Sequence, residues 1–274
     1  MTICKVLIRA GLTLALGLLP AVLPRGFGTR PARAAATATD DGEPMRLPQV
    51  IELARQAAEH LETDLHDYSA VMVKRERVSG QLADPKAMYI KFREKPFSVY
   101  LYLLDPEQAG DEAIYVDGRN DGNLLGHTTG WTGKLVGTVS LNPSGLIAMQ
   151  GQLHPITNIG IRNLCLKLIE FGRRQSDPDA VEIRRFHRAS VNGRPCSLLR
   201  IVYPVEEPGV RAYLIRVFLD DAVGVPIRLE VYQMTDRPGE TPQLQYEYTY
   251  AGLKVNRGFT DADFDPKNPA YHFP

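Results

Sequence analysis

Three features of the sequence predict an α+β fold built around a large antiparallel β-sheet. An amphipathic helix comes first, two series of short strand-like runs follow it, and a helical insert separates the two series. Helices grouped apart from the strands are typical of α+β folds, whereas parallel sheets alternate strands with helices. Residues 47–274 are numerous enough for one domain with a core of its own.

The first helix is predicted over residues 47–67. Its apolar residues recur at helical spacing and form one stripe, which is the pattern of a helix that packs one side on a sheet. The stripe consists of Val50, Leu53, Ala54, Ala57, Ala58, Leu61 and Leu65. We therefore expect this helix to cover part of one face of the sheet.

Six strand-like runs follow the helix, and residues that favour tight turns separate them. The runs cover residues 68–78, 87–93, 97–104, 112–117, 122–128 and 135–141. Asp117-Gly118 and Asp121-Gly122 tolerate the positive φ angles of hairpin turns, and Asp84-Pro85 favours the start of a turn. Short strands joined in this way predict an antiparallel meander.

A helical insert and then a second meander complete the predicted domain. The insert is predicted at residues 144–150 and 161–174, and its longer part has one apolar face. That face consists of Ile161, Leu164, Cys165, Leu168 and Phe171. Strands resume at residues 181–191, 195–203, 210–220, 226–235 and 243–255. Asn192-Gly193 lies between two of these runs and is the strongest hairpin signal in the chain.

Residues 92–104 join two strand-like runs through a proline, and the second run is apolar on both faces. Val99 and Leu101 share one face, whereas Tyr100 and Tyr102 share the other. A strand that is apolar on both sides is covered on both sides of its sheet. The cover is either protein on both faces, or protein on one face and an apolar ligand cavity on the other.

The chain begins with the layout of a secretory signal peptide. A basic start precedes an apolar run at residues 10–23, and Ala32-Arg33-Ala34 supplies the small residues of a cleavage site. The apolar run is short against the roughly 20 residues of a membrane-spanning helix, although an uncleaved anchor stays open as an alternative. We expect residues 1–34 to be a signal peptide cleaved near Ala34, and residues 35–46 to be a disordered linker. Export would place the protein in the periplasm or cell envelope.

The charge of the predicted mature chain argues against a nucleic-acid-binding protein. The full chain has 32 basic and 32 acidic residues, and removal of residues 1–34 discards five basic residues and no acidic residue. The remaining chain is mildly acidic, and its basic residues are interleaved with acidic ones. Nucleic-acid-binding proteins instead carry a basic patch or stripe. We therefore expect no nucleic acid among its partners.

Two cysteines, Cys165 and Cys196, remain after the predicted cleavage. In an oxidising compartment the two thiols can form a disulfide. The alternative is that both are small buried apolar residues, which is common for free cysteine. Neither lies in a C-x-x-C pair, so a zinc site or a thioredoxin-like redox role has no support.

No motif in the sequence predicts a catalytic or metal-binding site. His60 and His66, the closest pair of histidines, are related by a rotation of about 240° around a helix axis and so face different sides of the helix. The acidic residues within 261–265 begin like a calcium loop, but proline and histidine stand where an EF-hand needs glycine and glutamate. A short turn capped by Thr260 accounts for them better. Ser144 lacks the strand-to-helix turn of a nucleophilic serine. We expect no catalytic residue, no metal and no cofactor.

Six sequence motifs resemble a family of exported bacterial proteins catalogued as a domain of unknown function. In chain order they are REKPFSVYL, EAIYVDGRNDGNLLGH, HPITNIGI, VNGRPC, VPIRLEVY and TDADFDPKNPAY. That family is distantly similar to the lipoprotein carriers of the LolA and LolB type. The resemblance implies a LolA-like domain over residues 47–274, with a curved, open half-barrel sheet. It also implies that the N-terminal helix and the helical insert pack on the concave face.

The resemblance and the missing catalytic motifs together predict an exported, non-catalytic binding or carrier protein. Its half-barrel would take an acyl chain, a lipid or a lipidated protein into an apolar cavity, and its partners would include envelope membrane proteins. The alternative is an envelope sensor or scaffold that binds another protein, with the cavity filled by side chains. An enzyme acting on envelope material is the third hypothesis. An empty cavity of several hundred Å³ favours a ligand, and a packed interior favours the scaffold.

Aromatic residues on the predicted strands and loops are the candidates to line such a cavity, because aromatic side chains bury a large apolar area. They are Phe92, Tyr100, Tyr102, Tyr115, Trp131, Phe218 and Tyr232. Trp131 stands in a loop between two strands, where a large apolar side chain needs a partner. A lid over the pocket is one interpretation of Trp131, and an ordinary side chain covered by the rest of the protein is the other.

Overall fold

The structure is a computed structural model that describes residues 42–129, 135–203, 212–234 and 241–274. The predicted signal peptide and the first part of the predicted linker lie outside the described residues. The end of the linker is ordered, contrary to the prediction. Glu43–Met45 forms strand β1 and pairs antiparallel with Glu182–Val191, strand β9. The backbone hydrogen bonds of β9 order these three residues, so the folded part begins before Leu47.

Within the described residues, 13 strands form one antiparallel sheet and two helices pack on it. The helices are α1 at Leu47–Thr63 and α2 at Ile161–Arg173. The other strands are β2 Asp67–Val78, β3 Gln81–Leu82, β4 Lys86–Arg93, β5 Ser98–Leu103, β6 Glu112–Val116, β7 Leu124–His127, β8 Val139–Leu141, β10 Arg194–Val202, β11 Leu214–Asp220, β12 Pro226–Gln233 and β13 Gln243–Val255.

The sheet is open, because its two edge strands do not pair with each other. Its strands follow the order β1-β9-β10-β11-β12-β13-β2-β4-β5-β6-β7-β8, and β3 pairs with β2 beside this path. Neighbouring strands run antiparallel throughout. The predicted α+β class with a large antiparallel sheet is confirmed.

Two predicted helical segments differ from the structure, since one is shorter than predicted and the other is not a helix. The first helix ends before residue 67 because Asp67 starts β2, where its carboxylate accepts the backbone N–H of Phe259 at 2.9 Å. Residues 144–150 form turns and no helix. The N–H of Gly145 donates to the carbonyl of Asn142 at 2.9 Å, as expected for a stretch of turn-forming residues.

Both helices cover the same face of the sheet, which we call the helix face. Its residues alternate along each strand, as do Tyr68, Ala70 and Met72 on β2, and they form one core with the buried sides of both helices. The helices approach closely at Gly172, where a Cβ would lie 2.8 Å from Cγ1 of Ile51. A larger residue there would push them apart. In the described part of the chain, no helix is long and apolar enough to cross a membrane.

The C-terminal segment, residues 256–274, lies on the opposite face of the sheet, which we call the back face. The Tyr271 ring stacks on the Tyr100 ring with centroids 4.0 Å apart. Phe264 is 1% exposed and packs in the same cluster with Ile114. The sheet is therefore covered by helices on one face and, over β4 to β6, by the end of the chain on the other.

Ion pairs attach the C-terminal segment to β4. Arg93 pairs with Asp261, and Lys91 with Asp263, each at 2.9 Å. The N–H of Thr260 donates to the Asp263 carboxylate at 2.9 Å, so the predicted capped turn is confirmed. These carboxylates bind cationic side chains and backbone donors. The described residues contain no group of carboxylates, histidines and cysteines placed to hold a metal ion.

Candidate functional site

A cleft lies on the helix face, where β2 and β13 meet the chain that leads into α2. Its lining combines apolar and polar side chains. The apolar and aromatic residues are Met72, Ile159, Leu164, Tyr248 and Tyr250, and the polar residues are Lys74, Glu76, Gln152, His154, Asn158 and Lys167. Charged side chains are rare on the buried face of a sheet, so this concentration of them marks the cleft as the candidate site.

Glu76 is the centre of a hydrogen-bonded cluster in the cleft. Its side chain is 4% exposed, and its Oε1 accepts the hydroxyl proton of Tyr248 at 2.5 Å. Its Oε2 accepts the backbone N–H of Leu153 at 3.1 Å and lies 3.5 Å from Nζ of Lys74. Nδ1 of His154 lies 2.9 Å from the Tyr248 oxygen. Because that hydroxyl gives its one proton to Glu76, Nδ1–H of His154 is the donor.

The cluster holds Glu76 in its ionised form. Burial alone raises the pKa of this carboxyl group, but His154, the charge of Lys74 and the hydroxyl of Tyr248 outweigh burial and lower the pKa to about 2. Burial and the adjacent carboxylate raise the pKa of Tyr248 well above its usual range. At neutral pH the pair is therefore a carboxylate and a neutral phenol.

Two lysines bring positive charge to the cleft. Lys74 donates from Nζ to Oε1 of Gln152 at 2.6 Å. Lys167, on α2, lies 5.9 Å from the centre of the Tyr246 ring. Burial lowers the pKa of both lysines. No described carboxylate lies within ion-pair distance of the Lys167 ammonium group. Its N–H donors are therefore available to an anionic ligand.

Two buried tyrosines hold the start of α2 on the sheet. The N–H of Gly160 donates to the Tyr250 hydroxyl at 3.2 Å, and the N–H of Ile161 donates to the Tyr68 hydroxyl at 2.9 Å. The first N–H groups of a helix have no partner within the helix. Gly160 has φ of 130°, and a Cβ on it would lie 2.8 Å from the Phe92 ring. Only glycine fits this path into α2.

Tyr250→Phe should lower the free energy of unfolding by about 1–3 kcal/mol, because the Gly160 N–H would be buried without an acceptor. Tyr246→Phe is the matched control on the same strand. Tyr246 is 8% exposed, and no described residue hydrogen-bonds its hydroxyl, so we expect a loss below about 0.5 kcal/mol. Urea unfolding followed by circular dichroism measures both variants. Equal losses would contradict the anchoring role of Tyr250.

Glu94 carries a second perturbed carboxyl group near the start of α2. Burial raises its pKa to about 7, and the charge of Glu62 adds to this against the opposing charges of Arg162 and Lys95. Its Oε1 is buried without a hydrogen-bond donor among the described residues. Near neutral pH this group is therefore divided between its neutral and ionised forms.

Glu94→Gln should remove a pH dependence of stability. A carboxyl group whose pKa rises on folding stabilises the folded state below its unfolded pKa, near 4.5, and loses that contribution as the pH rises through about 7. The variant should be about as stable as the wild type at low pH. Above pH 7 its free energy of unfolding should exceed that of the wild type by up to about 3 kcal/mol. Chemical unfolding across this pH range measures the difference. A difference that does not change with pH would contradict this role of Glu94.

The interior beneath the helices is packed. The cleft leaves about 20 Å³ for the centre of a water-sized molecule. A second cavity, between α1, α2 and strands β10 and β11, leaves about 10 Å³. One water needs about 10–15 Å³ on this measure, so each space admits one or two waters. An acyl chain does not fit beneath the helices in this conformation.

A family model described as a protein of unknown function (DUF1571) matches residues 65–273. The chain belongs to the DUF1571 family. The predicted resemblance to an uncharacterised domain is therefore confirmed. No curated protein matches the sequence of this DUF1571 chain.

Three solved structures illustrate what the fold of this DUF1571 protein is similar to. The complex of Pseudomonas aeruginosa MucA and MucB matches at 16% identity and a TM-score of 0.44, over 79% of this chain and 60% of that chain. The lipoprotein LppX of Mycobacterium tuberculosis matches at 12% identity and 0.42, over 77% and 94%. A LolA superfamily protein of Nitrosomonas europaea matches at 10% identity and 0.32, over 81% and 98%. The DUF1571 chain thus spans under two thirds of the MucA/MucB match.

The structure divides the predicted cavity residues of this DUF1571 protein between two separate clusters. Phe92 and Tyr115 lie in the core of the helix face, and Phe218 belongs to the same core. Tyr100 and Tyr102 lie in the separate cluster of the back face with the C-terminal segment.

Of the last two predicted cavity residues, Tyr232 lies apart from the cleft. The hydroxyl of Tyr232 donates to Glu230 at 3.0 Å, within a buried group that also contains Arg228. Trp131 lies outside the described residues. Cys165 and Cys196, the two cysteines for which the sequence left a disulfide open, are both free and buried in this structure.

The sequence contains a pattern that indicates the cleft, although it matches no known motif. Tyr68, Ala70, Met72, Lys74 and Glu76 share one face of β2. The first three residues are apolar and indicate a buried face, and the charged residues Lys74 and Glu76 continue the same face. Such a change from apolar to charged within one face indicates a polar site at that end of the strand.

Proposed function

We propose that this DUF1571 protein is a non-catalytic binding protein for an amphiphile with an acyl chain and an anionic head group. The observation that carries the proposal is the cleft, where apolar side chains and the ammonium group of Lys167 share one lining. An amphiphile has the same two parts, an apolar chain and a charged end. Specific ligand sites combine an apolar lining with a few placed polar groups.

The charges of the cleft favour an anionic head group. The Glu76 carboxylate is already satisfied by Tyr248, Leu153 and Lys74. Lys167 has no such partner among the described residues, and its pKa is lowered by burial, so its charged form is destabilised in the free protein. A ligand carboxylate or phosphate beside Lys167 would accept charged hydrogen bonds from the ammonium group. These bonds would replace the hydration that the ammonium group loses on burial.

Uptake of the acyl chain requires α2 to move away from the sheet, because the interior is packed. The apolar side of α2 includes Leu164 and Leu168, and it lies on the helix face near Met72. A ligand chain would replace this side of α2 and bury a similar apolar area. Phe92 and Tyr115 are on the same face and are proposed contacts of the chain. Such a change is a shift between a closed and an open state of one protein.

The protonation states in the cleft support binding without catalysis. A general acid or base works best with a pKa near the working pH. Glu76, with a pKa of about 2, and Tyr248, with a strongly raised pKa, both lie far from neutrality. Their arrangement ties the chain before α2 to the sheet.

Fatty-acid uptake by the delipidated protein tests the proposal. The wild type should bind a fluorescent fatty acid, and Lys167→Met should weaken binding about tenfold while binding of the matching fatty alcohol is unchanged. Lys254→Met, at an exposed position of β13, is the control and should bind as the wild type does. A wild type that binds neither probe would overturn the proposal.

The packed interior favours a second candidate, a scaffold that binds another envelope protein and has no ligand cavity. In that case the helices stay closed. Hydrogen exchange of α2 then separates the two functions. Faster exchange of α2 on addition of fatty acid supports the amphiphile, and unchanged exchange supports the scaffold. Export to the periplasm or envelope, which both candidates require, is proposed from the predicted signal peptide at residues 1–34.

A further inference from the structure

Three arginines stand side by side on the back face of the sheet. Arg184 on β9 is directly opposite Arg200 on β10, and Arg200 is directly opposite Arg216 on β11. Their neighbours along the strands, such as Ile201 and Ile215, are buried in the core of the helix face. Successive side chains of a strand point to opposite faces of the sheet. The three arginines therefore lie on the back face, and we call them the arginine row.

The arginine row is open to solvent and brings like charges together. The side chains of Arg184, Arg200 and Arg216 are 39%, 38% and 41% exposed. Residues directly opposite each other in an antiparallel pair have Cβ atoms about 4.5–5.5 Å apart, and like charges at such positions are destabilising. Repulsion within the row therefore opposes folding of the free protein, and a bound anion would offset it.

One exposed carboxylate serves two arginines of the row. Oε1 of Glu182 lies 3.9 Å from Nε of Arg184 and 3.4 Å from Nη1 of Arg200. The Glu182 side chain is 58% exposed, and exposed ion pairs contribute little to stability. Glu182 is the one carboxylate among the described residues within ion-pair distance of Arg200. Two positive charges thus share a single, weakly held negative charge.

Arg216 has hydrogen-bond donors to spare. Its Nη1 lies 3.5 Å from the Glu230 carboxylate, which pairs more closely with Arg228, at 2.7 Å. Nε of Arg216 is buried and has no hydrogen-bond acceptor among the described residues. A buried donor without an acceptor costs free energy. An oxyanion held by Arg216 would supply the acceptor that its guanidinium lacks.

We propose that the arginine row binds a phosphate group. The planar guanidinium of arginine donates paired hydrogen bonds to phosphate oxygens. A phosphate monoester carries a charge of about −1.5 to −2 near neutral pH, so it offsets more of the repulsion among three arginines than a carboxylate does. The site goes beyond the proposed binding function, because it lies on the opposite face of the sheet and needs neither Lys167 nor a movement of α2.

Calorimetric titration with inorganic phosphate tests the site. The ionic strength is held constant with sodium chloride, so that general screening does not change. The wild type should bind phosphate, and Arg200→Gln should weaken binding about tenfold or more. Arg257→Gln, which removes the same charge from an exposed side chain outside the row, should bind as the wild type does. Lys167→Met should also bind as the wild type does, which separates the row from the cleft.

Thermal unfolding without phosphate shows that the Arg200→Gln variant is folded. Because the change removes the central charge of the row, its melting temperature should equal that of the wild type or exceed it by about 1–3 °C. The variant should also take up fatty acid as the wild type does. Loss of phosphate binding together with retained uptake therefore concerns the arginine row alone.

Vesicles that contain phosphatidic acid identify the source of the phosphate group. Sedimentation of the wild type, but not of Arg200→Gln, with these vesicles would assign a lipid head group. Binding of inorganic phosphate without sedimentation would assign a free phosphate compound. A wild type that binds neither inorganic phosphate nor these vesicles would overturn the proposal. An Arg200→Gln variant that binds both probes as the wild type does would overturn it as well.

Discussion

Glu76→Gln is expected to lower the free energy of unfolding by about 3–5 kcal/mol, because removal of one partner leaves the rest of a buried charged cluster uncompensated. Lys74 would lose its carboxylate, and Tyr248 would lose a charged acceptor at 2.5 Å. The side chain is 4% exposed, so water cannot replace these partners. Chemical unfolding at neutral pH measures the loss.

Two controls isolate the Glu76 cluster. Glu182→Gln replaces a carboxylate on β9 that is 58% exposed and pairs with Arg200 at 3.4 Å, and it should cost less than about 1 kcal/mol. In a double-mutant cycle, Glu76→Gln and Tyr248→Phe should be strongly non-additive, because they remove the same hydrogen bond. Additive losses would show that the two side chains do not interact.

The Glu76 cluster also has a definite pH dependence. The pKa of Glu76 is lowered on folding from 4.5 to about 2. Its contribution to stability is therefore complete above pH 4.5 and is lost as the pH falls through about 2. The difference in stability between wild type and Glu76→Gln should shrink over this acidic range.

Phe264→Ala is expected to cost about 3–5 kcal/mol, the usual range for loss of a fully buried phenylalanine side chain. Phe264 is 1% exposed, and it packs from the C-terminal segment onto the back face of the sheet. The Arg93 guanidinium lies 4.9 Å from its ring centre, so the variant also removes a cation–π contact. Urea unfolding followed by tyrosine fluorescence measures the effect.

Phe273→Ala is the matched control for Phe264→Ala in the same segment. Phe273 is half-buried near the chain end and contacts His127 at 5.8 Å between ring centres. Phe273→Ala should lower the free energy of unfolding by less than Phe264→Ala does, since the half-buried side chain contributes less buried apolar area. If the two variants lose the same free energy, the C-terminal segment is not anchored through Phe264.

Local patterns in the sequence predict most of the individual elements. The alternation of Met88, Ile90 and Phe92 places all three on the helix face, as the structure confirms. Asn192-Gly193 predicts the β9–β10 hairpin, and both residues have positive φ, at 53° and 80°. These features depend on neighbouring residues alone, so their physical causes are present in short stretches of sequence.

The cleft depends on contacts between distant parts of the chain, which local patterns do not contain. Glu76 and Tyr248 meet because β13 pairs with β2, at a separation of 172 residues. The back face has the same cause: the strand of Tyr100 is apolar on both faces because the C-terminal segment returns to cover it. The sequence predicts that each face is covered but does not identify the cover.

Helix α2 connects the polar cluster of the cleft with the proposed ligand site. Buried tyrosine hydroxyls hold its start, and the Glu76 cluster holds the chain before it, so the helix is attached to the sheet through polar contacts at that end. Its apolar side fills the space that a ligand would occupy. Polar contacts of this kind allow a closed state with one defined geometry, because hydrogen bonds are directional.

Native mass spectrometry of the protein isolated from its own cell envelope tests the central claim most directly. We expect a population with one bound anionic amphiphile, released as a fatty acid or phospholipid on activation. Lys167→Met, isolated in the same way, should carry less of it. A wild type that appears only as the free chain, and that also takes up no fatty acid after delipidation, would contradict the claim that the helix face binds an amphiphile.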